Sequence, residues 1–188
     1  IELSGAEFLK TSKGEVVVVT DPHFNTLLVH EIVGHPTESD RILKMETAYA
    51  GRSWLYKSRD ENQLGNRIAS PLVNAFSDPT VMGYGYYKYD AEGTPARRID
   101  VIKDGILKTF LNGREHAAIL EHEPNGSMRA TTSAMVPIVR MTNTAFGPGK
   151  KNPKSIIKEV KNGYYIVSHR IPSISESREN FRISAKKV

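Results

Sequence analysis

The residues best equipped for chemistry are His30-Glu31-Ile32-Val33-Gly34-His35, an HExxxH stretch that follows the apolar Leu27-Leu28-Val29. Two imidazoles with a carboxylate beside the first form the ligand-plus-base set of hydrolytic metal sites. Neutral imidazoles hold the ion, and a carboxylate left off it can take the proton of a polarised water. His30 and His35 are therefore the candidate metal ligands and Glu31 the candidate general base, with zinc the first metal to consider. The zincin signature spaces its histidines four apart, about 40° around a regular helix. A spacing of five splays the rings by about 140°, too far to share one ion. The local sequence supplies a remedy. Gly34 can take backbone angles closed to other residues, and Pro36 biases His35 away from the α region. A widened last turn of the π type would return His35 beneath His30. Two histidines five apart are, taken alone, more often incidental than ligands. The adjoining glutamate, the glycine at the bend and the apolar lead-in favour the metal reading.

The elements around the motif must deliver it. A β-branched run over 15–20 predicts a buried strand, and Asp21-Pro22 a turn. Asn25 or Thr26 is the expected cap of a helix carrying the motif. Glu38 and Asp40 are the nearest further carboxylates, and Pro36 should turn the chain away before they reach the histidines. Residues 45–65 read as an exposed loop anchored by Trp54, the only tryptophan. A strand is predicted over 69–76 and a turn at Ser77-Asp78-Pro79. Gly83 to Tyr87 lacks the spacing of a phosphate loop and reads as a loop or bulged strand. Asp90-Ala91-Glu92-Gly93-Thr94-Pro95 is turn chemistry. Asp104-Gly105 between apolar runs predicts a hairpin. A short helix over 114–121 carries His116, with His122 just beyond. Both read as surface histidines that become ligands only if the fold returns them. A loop over 124–132 and an edge strand over 136–144 follow, the latter because of Pro137. Asn152 and Pro153 open a helix with Ile156, Ile157 and Val160 inward and Gly163 as its stop. A last strand spans 164–168. The class is α+β: a strand-rich antiparallel domain with a few short helices.

Composition narrows the function classes. The 188 residues suit a single domain, with 39% hydrophobic and 25% charged residues. No apolar run is long enough to cross a bilayer, and the opening Ile-Glu-Leu-Ser-Gly is no secretory signal. Without an initiator Met, the chain reads as a piece of something longer. The absence of cysteine excludes a disulfide framework and any thiolate ligand within these residues, and fits a cytoplasmic protein. The net charge of +5 resides in one segment, where Arg140, Lys150, Lys151, Lys154, Lys158 and Lys161 face Glu159 alone. No aromatic residues interleave these lysines, so a solvated face is favoured over a nucleic-acid platform.

Five stretches together resemble the TldD/PmbA metalloproteases: the HExxxH motif, Asp90 to Pro95, Asp104-Gly105-Ile106-Leu107-Lys108, Arg140-Met141-Thr142-Asn143-Thr144, and Pro148-Gly149. The likeness covers nearly the whole chain and corresponds to the C-terminal catalytic domain, without the N-terminal α/β domain or the C-terminal end. It implies a cytosolic peptidase acting on peptides or unfolded chains, paired with a family member as homo- or heterodimer. By the same likeness His30 and His35 are ligands and Glu31 the base. Two departures stand out. Active members look to a cysteine near their C-terminus for a third ligand, which this chain lacks. A glycine usually follows the second histidine, where Pro36 stands here. Two alternatives remain in view. One is a non-catalytic regulatory subunit of such a complex, with the family's old association with DNA gyrase. The other is a different HExxxH metallohydrolase, since dipeptidyl peptidase III carries a similar stretch.

Overall fold

Backbone groups of the β-branched run find their partners far along the chain. In the computed structural model, which describes residues 5–7, 10, 14–45, 51–174 and 181–188, β1 (Val17–Thr20) runs parallel to the start of β8 (Gly163–Ile174). Across its other edge β8 pairs antiparallel with β9 (Phe181–Lys187), giving the order β1-β8-β9. This corrects the expectation of a buried strand. β1 is an edge, and Val17 and Val18 stay 53% and 45% exposed. The last predicted strand is also longer than 164–168, because β9 lends it a ladder.

Asp21 ends β1 and caps the next element. Its carboxylate accepts from Phe24 N at 2.7 Å, and Pro22 takes the first position of α1 (Pro22–Val29). The cap is therefore neither Asn25 nor Thr26. Asn25 accepts from the Thr20 hydroxyl, and Thr26 bonds back to His23 O. A π turn (His30–Gly34) and a 3₁₀ turn (His35–Thr37) continue the same rod; Glu38 is then extended (φ −71°, ψ 121°) and leads into the short α2 (Ser39–Ile42).

A second sheet holds β4-β3-β2-β7, antiparallel throughout: β2 (Ala75–Ser77), β3 (Ile99–Lys103), β4 (Ile106–Leu107) and β7 (Thr144–Phe146). The predicted hairpin is there, with Asp104 and Gly105 at φ 52° and 76°. The strand expected over 69–76 shrinks to its last residues. The segment before it wraps the hairpin tip instead, Ala69 N donating to Gly105 O and Gly105 N to Val73 O. The loop expected over 124–132 contains β5 (Met128–Arg129), paired with β6 (Ile138–Val139). The strand expected over 136–144 divides into β6 and β7, because residues 140–143 bond elsewhere.

Val29, Val33, Ile42, Leu55, Leu107, Phe110, Val139 and Met141 belong to one buried cluster. Residues 45–65 are accordingly less exposed than expected. Leu55 is buried and Trp54 packs against the cluster as an anchor, while 46–50 lie outside the described residues. Helix α3 (Arg114–Leu120) buries His116, contrary to its surface reading. Helix α4 (Pro153–Glu159) is capped by Asn152 as predicted. Its inward face is not: Ile156 and Ile157 are 39% and 44% exposed, and Gly163 opens β8 rather than stopping the helix. The class is α+β, and its core presses the motif-bearing rod against the second sheet.

Candidate metal centre

The π turn closes with His35 N–H donating to His30 O, the five-residue ring that the histidine spacing demands. It brings the two imidazole centroids to 4.4 Å at 81°. His30 Nε2 lies 3.9 Å from Glu31 Oε1. One ligand atom from each of His30, Glu31 and His35 falls within 4.8 Å of the others. Glu31 is buried, His35 is largely covered, and the His30 side chain is 45% exposed. Two imidazole nitrogens and a carboxylate oxygen converging from one turn suit a divalent cation such as zinc.

The route to that turn differs from the one expected. His35 stays in the α region (φ −59°, ψ −44°) despite Pro36, which enters the 3₁₀ turn as an early residue. Gly34 is also ordinary in its angles (φ −57°). Its role is space. A Cβ there would stand 2.2 Å from Met141 Sδ and 2.6 Å from Met141 Cε.

Below the histidines lies a buried ionic cluster. Glu38 is 0% exposed. Its Oε2 meets His35 Nδ1 at 2.9 Å and Arg41 Nε at 2.5 Å, and its Oε1 accepts from Met141 N at 3.1 Å. The expectation that Pro36 turns Glu38 away is thus corrected: Glu38 reaches His35, at the ring nitrogen nearer the backbone. Burial opposes the Glu38 charge, but the hydrogen bond and charge of His35, with Arg41, outweigh it and hold the carboxyl below its ordinary value. Asp40 goes the other way. Burial and the Glu38 charge push its carboxyl up, against the pull of Arg140, whose Nη1 donates to it at 2.8 Å. Reading the sequence named Glu38 as a nearby carboxylate but turned it away from the histidines, and it missed Arg41, Arg140 and Met141 as neighbours. The only signal was that Arg140-Met141 belonged to a recognisable stretch.

The remaining candidates stand apart. Among the described residues no other histidine or carboxylate completes a cluster with the three. His116 sits buried on α3, and His122 stacks near Phe110 at 6.4 Å. Asp90 builds its turn, accepting from Glu92 N, Thr94 N and Met128 N. Asn143 accepts from Gly85 N and donates to Asp78 O and Val81 O, bracing the loop over 78–85.

Residues 13–188 match the family model of the PmbA/TldA metallopeptidase C-terminal domain. A metalloprotease of Methanothermobacter thermautotrophicus is 35% identical over 172 residues, covering 92% of this chain and 35% of that protein. The zinc metalloprotease TldD homolog of Saccharolobus solfataricus is 32% identical over 158 residues, 82% of this chain and 32% of its own length. The chain thus spans about a third of these curated relatives. The crystal structure of TldE from Thermococcus kodakarensis superposes with a TM-score of 0.72 over 91% of this chain and 37% of that one, at 22% identity.

Proposed function

This chain belongs to the PmbA/TldD metallopeptidase family, and from that premise we propose that it carries the hydrolytic centre of a peptidase acting on peptides or unfolded polypeptides. One observation carries the reading: His30, Glu31 and His35 converge within 4.8 Å although their spacing would separate them on a regular helix. His30 and His35 hold a divalent metal, zinc by the chemistry of the donors and in keeping with the zinc metalloprotease among the relatives. The metal, when bound, supplies Lewis-acid polarisation of water and of the scissile carbonyl. Glu31 receives the water's proton and passes it to the departing amine. Its carboxylate is buried beside His30, so the proton is handed over in a site sheltered from bulk water. The half-exposed His30 marks the side from which an extended chain enters. A family member is the proposed partner, supported by the TldE-like fold, and the cytoplasm the proposed compartment.

The test is Glu31→Gln, which preserves shape but removes the base. Peptide hydrolysis should fall by at least about 100-fold while metal content stays near that of the unmodified protein. Retained turnover, or a loss that merely tracks lost metal, would sink the proposal.

A further inference from the structure

His35 Nδ1 has two suitors. Glu38 Oε2 and Arg41 Nη2 each lie 2.9 Å from it. A neutral imidazole nitrogen either carries a proton or offers a lone pair, so the two contacts exclude each other. If Nδ1 carries the proton, Glu38 accepts it and Nε2 keeps its lone pair for a metal. If Arg41 donates to Nδ1, the ring proton moves to Nε2 and blocks that nitrogen. The choice between Glu38 and Arg41 is a choice between a ligand and a spectator.

We infer that Glu38 is the positioning residue that fixes His35 in its metal-accepting tautomer, and that Arg41 is the competitor it keeps occupied. A carboxylate can only accept, and Glu38 has no freedom to turn aside. Arg41 Nε grips the same oxygen at 2.5 Å, and Met141 N holds the other at 3.1 Å. Arg41 therefore approaches Nδ1 because Glu38 brings it there. The guanidinium has donors to spare: Arg41 is 3% exposed, and its Nη1 has no hydrogen-bond partner among the described residues. Where a neutral amide replaces the carboxylate, Nδ1 remains an acceptor within 2.9 Å of Nη2. Arg140 completes the frame, bonded to Asp40 at 2.8 Å and 3.9 Å from Glu38.

The inference rests on the reading that His35 holds metal, but its test does not depend on catalysis. Long-range nitrogen–proton NMR on zinc-free protein reports the His35 tautomer directly. The unmodified protein should show Nδ1–H, a measurement that requires no variant to fold. Glu38→Gln should shift the ring toward Nε2–H and weaken zinc about 10- to 100-fold. Arg41→Met in the Glu38→Gln background should restore Nδ1–H and most of the affinity. Nε2–H in the unmodified protein, or the same tautomer with and without Glu38, would overturn the inference. Absence of zinc binding by the unmodified protein would instead defeat the metal reading, while the zinc-free tautomer still decides this one.

Discussion

At Gly34 the side chain that is missing matters more than the backbone it frees. The space a Cβ would need is already filled by the Met141 thioether, at 2.2 Å from the ideal position. Gly34→Ala should therefore destabilise by about 1–3 kcal/mol through overpacking, although alanine is the better helix former. Met141→Ala should cost about 2–5 kcal/mol by leaving a cavity. In the Met141→Ala background, Gly34→Ala should then cost little, because the obstacle is gone. Urea denaturation of the four proteins checks this, and strictly additive penalties would disprove the steric account. Residue types and spacing were enough to bring His30, Glu31 and His35 forward. They named Glu38 but could not place it against His35, because nothing local distinguishes a carboxylate that holds a ligand from one in solvent. The glycine was read as conformational freedom for the same reason: its real neighbour stands more than a hundred positions away in the chain.

Among the elements, α1 is tied at its start by one side chain. Asp21 accepts from Phe24 N in its own helix and from Ser168 N in β8, at 2.7 and 3.1 Å. The Phe24 hydrogen bond above all, against desolvation and with help from the Ser168 hydrogen bond, holds the Asp21 carboxyl below its ordinary value. A depressed folded-state value means the stabilisation is fully present above the ordinary value and lost as pH falls through the folded value. Asp21→Ala should thus lower the melting temperature at neutral pH, and the gap to the unmodified protein should close in acid. A gap that persists undiminished at pH 2 would rule the charge out as its source. The π turn and the Asp104-Gly105 hairpin were legible because their signals are local: a histidine spacing and a two-residue turn. The exposure of β1 and α4 was not. A run of valines reads as interior whether its strand lies mid-sheet or at an edge, and an apolar helix stripe does not say whether anything covers it.

For the molecule as a whole, the count of donors sets the expectation for metal. Catalytic zinc sites generally have three protein ligands, and the described residues bring two imidazoles and the proposed base together. Calorimetric titration of the 188-residue chain with zinc should give a weak complex, micromolar or poorer. Nanomolar binding would reveal a further protein donor beyond the three residues that converge in the turn. The lysines of the α4 region make a second expectation. Lys154, Lys158 and Lys161 are exposed, so changing all three to glutamine should leave the melting temperature nearly unmoved. A shift of many degrees would mean that they do more than face solvent. The brace beneath the histidines also has a history in time. The hydrogen bond from Met141 to Glu38 joins residues 103 positions apart. A ribosome adding about 5–20 residues per second needs about 5–20 s to cover that distance. Through that interval the emerging HExxxH segment has neither Met141 beneath Gly34 nor Arg140 beside Asp40. The pocket beneath the histidines is thereby completed only after Arg140 and Met141 have been made, so the geometry of the His30-Glu31-His35 turn is set late in synthesis rather than as the motif emerges.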